Sequence, residues 1–278
     1  MSVSGVSMRS DEGLARHTSL RVGGTCAKWA VVHEESALVP TLSGLRSEGL
    51  KITLIGQGTR FVPRDGGVSG AVVRLGTGYS NIHVQGNDIH VGAAVPVCLV
   101  ALAAANAGLS GLEALANHGG SIGASLALDT GPEGGWDALV RQASWFARGG
   151  VRTGDIETAR KLKTPLFLGV TLTLKHRDAA AIEKAMTTAW NKTPVGLWWK
   201  PLSRGSMRNA ITRASLPGVR VRELLIPQDN PDMLVNLGGA TAKELAFFER
   251  MVVDRVRRER GIDLVTRMVW AGSHGGDA

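Results

Sequence analysis

A short β-rich run, Ile52-Thr53-Leu54-Ile55, is cut off at Gly56-Gln57-Gly58-Thr59-Arg60, and Phe61-Val62-Pro63 resumes an extended pattern before Asp65-Gly66-Gly67. Glycine adopts backbone angles that other residues avoid, and it lets a second group approach the main chain closely. A strand ending in such a turn aims consecutive N–H groups into one concavity, which suits a phosphate or pyrophosphate. A glycine-rich hairpin turn accounts for the same residues without a ligand. The stretch is not a Walker loop, since no Gly-Lys-Ser/Thr follows. Nor is it a dinucleotide fingerprint, because Gly-x-Gly-x-x-Gly breaks at Phe61 and a strand follows where a helix should.

A second cluster reinforces the first. Gly108, Gly111, Gly119, Gly120 and Gly123 crowd around Ser110 and Ser121. Gly119, Gly120 and Gly123 mark another place where main chain passes close to a flat or anionic group, or else a pair of loops with a helical turn between them.

The surrounding periodicity predicts a strand over 28–32, a helix over 34–50 on the Leu38, Leu42, Leu45 stripe, and a strand over 70–75. Residues 82–84 and 89–93 read as a hairpin turning at Gly86-Asn87. A helix covers 97–108. This order of elements indicates a compact α+β domain. Further on come a hairpin around Gly149-Gly150, a strand over 166–174, a helix over 178–190 and a boundary at Asn191-Lys192-Thr193-Pro194. The last helix, 242–260, opens with a capping box, Thr241 to Glu244, and stops at Gly261. Its core stripe is Leu245, Phe248, Val252 and Val256. Arg255, Arg257, Arg258 and Arg260 sit where the helix dipole favours cations, so a solvated basic face explains them better than nucleic acid does.

With 278 residues, 44% apolar and 20% charged, the chain is an ordinary globular protein long enough for two domains. A net charge of +8 permits anionic partners without requiring them. Cys26 and Cys98 read as two buried free thiols in a reducing compartment. No secretory signal opens the chain, and the most apolar stretch, 95–105, falls short of the ~20 residues a membrane span takes. A cytoplasmic protein is expected, and no metal-ligand cluster stands out.

Four segments, in order, carry a resemblance to a known family. His17-Thr18-Ser19-Leu20-Arg21-Val22-Gly23-Gly24 is similar to an Asn-Thr-x-x-x-x-Gly-Gly opening. Gly56-Gln57-Gly58-Thr59-Arg60 to Asp65-Gly66-Gly67 is similar to Gly-x-Gly-Ser-Asn…Asp-Gly-Gly. Gly108-Leu109-Ser110-Gly111-Leu112-Glu113 with Gly120-Ser121-Ile122-Gly123 matches Ala-Gly-x-x-Gly-Leu-Glu…Pro-Gly-Thr-Val-Gly-Gly. Leu234-Val235-Asn236-Leu237-Gly238-Gly239-Ala240-Thr241 follows Ile-Val-Asn-x-Gly-x-Ala-Thr. From residue 14 to 272, the chain resembles the UDP-N-acetylenolpyruvoylglucosamine reductase family, flavoproteins that make UDP-N-acetylmuramate for peptidoglycan.

The fold this implies is α+β: an FAD-binding domain of the UDP-N-acetylmuramate dehydrogenase/vanillyl-alcohol oxidase type, with two α+β subdomains, and a smaller C-terminal α+β domain. On this chain it gives a disordered tail at 1–13 and the FAD-type domain at 14–176, with subdomains at about 14–78 and 79–176. A helix and linker follow at 177–194, the substrate-domain-like region at 195–272 and a tail at 273–278. Cofactor contacts are expected at Gly56, Gln57, Gly58, Thr59, Arg60, Gly119, Gly120, Ser121 and Gly123. Arg60 stands for the family's asparagine, Gly119 for a proline, and Asp129 brings a carboxylate towards the isoalloxazine edge.

The resemblance also implies a proton-donating serine, an assisting glutamate and an arginine that orients the substrate carboxylate. Proton transfer by a positioned group is worth about 10² to 10⁴ in rate. The serine position, in Val195-Gly196-Leu197-Trp198-Trp199-Lys200, holds Leu197, and the glutamate position holds Arg267. No Tyr-Arg segment precedes the 166–174 strand; Arg160 lies near the expected place, but the match there is too loose to assign it the role. The chemistry expected here is therefore lost, leaving no catalytic residues and a binding or scaffold protein in cell-wall synthesis or division that retains FAD or a UDP-sugar. The alternative is an active FAD-dependent oxidoreductase that uses NADPH. A nucleic-acid or membrane-surface binder rests on charge alone.

Overall fold

The computed structural model describes residues 4–132, 135–147, 149–162, 165–192, 198–200, 202 and 206–274. These group into two compact units, each gathered from three stretches where the sequence suggested contiguous segments. One takes residues from 4–9, 28–57 and 70–192, and the other from 10–27, 58–69 and 198–274.

Chain order begins with β1 (Val6–Gly13), β2 (Thr25–Val32), helix α1 (Glu35–Ser47), β3 (Ile52–Ile55), β4 (Phe61–Pro63) and β5 (Val68–Leu75). One sheet has the order β1-β2-β5-β3. β3 runs parallel to β5, Ile52 opposite Ala71 and Ile55 opposite Arg74. The near-continuous apolar run of β5 fits a strand buried on both faces. The expected tail at 1–13 is corrected here, because residues 6–13 form β1. As an edge strand it needs backbone pairing rather than apolar side chains, and most of its residues are exposed.

The hairpin β6 (Ile82–Gln85) and β7 (Asp88–Gly92) turns at Gly86-Asn87. After it come α2 (Val97–Asn106), β8 (Leu109–Ser110), α3 (Ile122–Ala127), β9 (Val140–Ala147), β10 (Gly150–Gly154), α4 (Ile156–Arg160), β11 (Leu166–Thr173), β12 (Lys175–His176) and α5 (Ala179–Lys192). An antiparallel sheet β10-β9-β11-β7-β6 forms the body of the first unit. Alternation along β7 and β11 sends Ile89, Val91, Val170 and Leu172 into the core, and His90 and Thr171 to the opposite face. That core continues through Leu38, Leu42, Leu45, Ile122, Leu126 and the fully buried Trp136. Trp136 donates its indole N–H to Ser125 at 3.2 Å.

The second unit holds β4, α6 (Met207–Arg213), β13 (Arg220–Val221), β14 (Leu224–Leu225), β15 (Val235–Asn236), α7 (Ala242–Arg260) and β16 (Val269–Ala271). Its core is the α7 stripe of Leu245, Phe248, Val252 and Val256, packed with Leu216, Leu224, Val62 and the pair Trp198 and Trp199. The capping box at Thr241 and Glu244 is complete, and Gly261 closes the helix at φ 63°. β16 lies parallel to β4, Val269 opposite Phe61 and Trp270 opposite Val62. Among the described residues neither cysteine forms a disulfide, and Cys26 is buried while Cys98 is only half-buried, against the expectation of two buried thiols. Among the described residues no helix is long and apolar enough to cross a membrane.

Candidate functional site

In the first unit, β3 delivers Gly56 and Gln57 to the start of α3. A Cβ on Gly56 would collide with Ser121 Oγ and lie 2.9 Å from the Ala124 Cβ, so glycine is required by close approach. The two glycine segments singled out in the sequence therefore meet. Gln57 is held from both ends, donating to the Ala94 carbonyl at 3.1 Å and accepting from Arg74 Nη2 at 2.8 Å. On the other segment, Ser121 Oγ caps α3 by accepting the Ala124 N–H, while Gly120 O accepts from Val97 and the Gly123 N–H donates to Ala93. Among the described residues, the N–H groups of Gln57, Gly119, Gly120 and Ser121 donate to no backbone carbonyl. A run of three such donors with a fourth on the neighbouring turn is what an oxyanion requires.

Residues 92–94 link this turn to a cavity of about 470 Å³ on the polar face of the antiparallel sheet, lined by His33, Tyr79, His90, Gln142, Ser144 and Thr171 among others. Ala94 donates its N–H to the Tyr79 carbonyl while its own carbonyl serves Gln57. The Tyr79 hydroxyl is buried without a hydrogen-bond partner among the described residues. Burial, and then the charge of Glu35, push this phenol up to about 12. It is a donor waiting for an acceptor.

Arg160, which lies near the place of the family's carboxylate-orienting arginine, is already engaged. It pairs with Asp129 at 2.7 Å and Asp137 at 2.6 Å, and its Nε donates to the Leu126 carbonyl. Asp129, expected to reach towards a flavin edge, is one of its partners. The segment before β11 instead forms α4, whose N-cap Asp155 accepts the Thr158 N–H.

The second unit takes the rest of the turn. Gly58 sits at φ +70°, and a Cβ there would strike the His17 carbonyl oxygen. Its own carbonyl accepts from Ser19. This glycine thus serves packing of the chain on itself. Two residues on, the Arg60 carbonyl accepts the Val269 N–H at 2.7 Å, at the head of the β4/β16 pairing. Arg267 is fixed across the other edge of the same segment. Its N–H donates to the Trp198 carbonyl at 2.7 Å, and Lys200 donates to Val265 at 2.7 Å, on either side of the Trp199–Thr266 bridge.

Arg60 and Arg267 are both half-buried, and among the described residues neither pairs with a carboxylate. Burial, and then the neighbouring Arg267 charge, pull Arg60 down to about 10. Burial also lowers Arg267. Trp198 and Trp199 stack at 5.6 Å, and among the described residues the buried Trp198 Nε1 has no partner. Leu197 lies outside the described residues.

One carboxyl approaches this segment from α7. Glu249 accepts from Trp270 Nε1 at 3.2 Å and interacts with Thr266. Glu249 is thus engaged by Thr266 and Trp270, and among the described residues it forms no ion pair with Arg267.

No protein-family model matches the chain. UDP-N-acetylenolpyruvoylglucosamine reductase 2 of Symbiobacterium thermophilum is 29% identical, over 95% of this chain and 92% of its own length. UDP-N-acetylenolpyruvoylglucosamine reductase of Azorhizobium caulinodans is 31% identical, over 90% of this chain and 87% of its own. The chain belongs to the UDP-N-acetylenolpyruvoylglucosamine reductase family. Its fold agrees: the structure of UDP-N-acetylenolpyruvylglucosamine reductase from Thermus caldophilus matches with a TM-score of 0.77 at 23% identity, covering 96% of this chain and 99% of that one. The α+β reductase fold, with its FAD-binding type of domain, is thus the fold of this protein.

Against that family, the structure brings Gly56 against Ser121 in one unit, and Arg60 within reach of the Arg267 charge in the other, while Gly58 packs on His17. Sequence reasoning missed the unpartnered Tyr79 hydroxyl and Trp198 indole. Their signal was available only as the one tyrosine of the chain and a tryptophan pair beside a lost serine.

Proposed function

We propose that this member of the reductase family no longer reduces an enolpyruvyl nucleotide and acts as a binding or scaffold protein in cell-wall synthesis or division, still able to take a UDP-sugar. Arg267 carries the reading. A half-buried guanidinium, beside a second one at Arg60, occupies the position the resemblance gives to an assisting glutamate. Arginine keeps its protons in proteins and has none to give a carbanion. Leu197 offers none either, and Arg160 is spent on Asp129 and Asp137.

The cofactor question is separate. The N–H groups of Gln57, Gly119, Gly120 and Ser121 fit the pyrophosphate of an FAD, since backbone donors survive side-chain change, and the Tyr79 hydroxyl is a further free donor. FAD, when bound, supplies a two-electron carrier, with NADPH as its reductant if turnover exists. These unspent donors favour a second reading, an active flavin oxidoreductase of altered substrate.

Purified protein incubated with NADPH and UDP-N-acetylenolpyruvoylglucosamine decides between them. The first reading expects no nucleotide-dependent NADPH oxidation, whether or not the protein is yellow. Measured product sinks it. A yellow protein bleached by NADPH alone supports the second reading.

A further inference from the structure

We propose that Arg60 and Arg267, with the Trp198 indole N–H, form an anion site that holds a phosphate group. This deepens the reading above and rests on it, because it assigns a ligand to the position where the acid was lost.

The argument is one of unbalanced donors. A buried charge is normally paired, since leaving an ion partly desolvated and alone is unfavourable. Here two guanidiniums are half-buried, each is disfavoured by burial, and one is further disfavoured by the other. No carboxylate among the described residues offsets either. The carboxyl that α7 contributes, Glu249, is committed to Thr266 and Trp270.

Both backbones are pinned. Arg60 is anchored through its carbonyl to Val269, and Arg267 through its N–H to Trp198. The antiparallel pairing about the Trp199–Thr266 bridge makes Trp198 the direct neighbour of Arg267 on one face. The Trp198 Nε1–H, on a residue 3% exposed, has no acceptor among the described residues. Three donors without an acceptor point to an anionic acceptor supplied from outside. Two like charges favour a dianion over a carboxylate, and guanidinium geometry suits phosphate oxygens in bidentate fashion.

Titration with inorganic phosphate, followed by calorimetry at constant ionic strength set with sodium chloride, tests this. Saturable binding is expected in the unaltered protein. Arg60→Gln and Arg267→Gln should each weaken it by about tenfold to a hundredfold, the usual worth of a charge-assisted hydrogen bond. Because the two cations repel, each variant should keep or raise its Tm without phosphate, and phosphate should raise the Tm of the unaltered protein alone. Absence of saturable binding, or binding unchanged in both variants, overturns the site.

Parallel titrations with UDP and FAD identify the source of the phosphate. Affinity above that of phosphate, lost in the same variants, supports a nucleotide, and equal affinity supports the free ion. Turnover of the enolpyruvyl nucleotide would end the functional reading, whereas an inactive protein that ignores phosphate would end only this inference.

Discussion

The Asp65 carboxylate accepts the backbone N–H of Ala242 at 2.7 Å through one oxygen and that of Lys243 at 2.8 Å through the other. The first N–H groups of a helix have no intrahelical acceptor, and the dipole makes that end electropositive. A residue 177 positions away thus completes a cap that the Thr241–Glu244 box leaves unfinished. Removing it with Asp65→Ala should cost about 1–2 kcal/mol, the range of a lost cap plus a lost charge at a helix start. Asp65→Asn should cost less. Thermal unfolding followed by circular dichroism reads both, and equal stabilities for Ala and Asp at this position would show the contact to be idle.

Gly56 and Ser121 make the junction of the two glycine segments, so their substitutions should couple. Gly56→Ala drives a Cβ into Ser121 Oγ and against the Ala124 Cβ, an overpacking worth about 1–3 kcal/mol. Ser121→Ala removes the Oγ and leaves its Cβ at an ordinary 3.6 Å. Gly56→Ala should therefore be milder in the Ser121→Ala background, though not free, because Ala124 stays close. A double-mutant cycle from urea unfolding measures the difference, and strict additivity would place the two segments apart.

What the sequence made legible was local and periodic. The α7 stripe and its capping box, the Gly86-Asn87 hairpin and the 166–174 strand are each set by neighbours within a few residues. The parallel pairing of β16 with β4, the Asp65 cap and the engagement of Arg160 by Asp129 and Asp137 join residues far apart in the chain, where no period records them. β1 escaped because its polar side chains describe an edge exposed to water, while its backbone makes the sheet. At the site, the glycines were visible but their purposes were not. Gly58 and Gly56 both read as openings for a ligand, and both turn out to admit other parts of the protein, the His17 carbonyl and the Ser121 side chain.

Arg160 supplies a test of the lost carboxylate clamp. Its partners Asp129 and Asp137 are well exposed, so Arg160→Gln strands no buried charge and should cost about 1 kcal/mol or less. A clamp would behave differently. If the arginine still oriented a substrate carboxylate, the variant would lose UDP-N-acetylenolpyruvoylglucosamine binding by tenfold or more at unchanged Tm. We expect calorimetry to find that affinity unchanged.

Glu249 carries a pH signature of its own. Burial raises its carboxyl above the ordinary range, and the hydrogen bonds from Thr266 and Trp270 oppose that shift without cancelling it. The folded protein then holds this proton more tightly than the unfolded chain, so ionising Glu249 favours unfolding. Its contribution is fully present below the unfolded carboxylate value and is lost as pH rises through the raised one. Glu249→Gln keeps an acceptor for the Trp270 indole and cannot ionise. The variant should match the unaltered protein at pH 4 and exceed it in Tm at pH 7 and above. A variant less stable at pH 7 would mean that the charged carboxylate, rather than its neutral form, is what Thr266 and Trp270 stabilise.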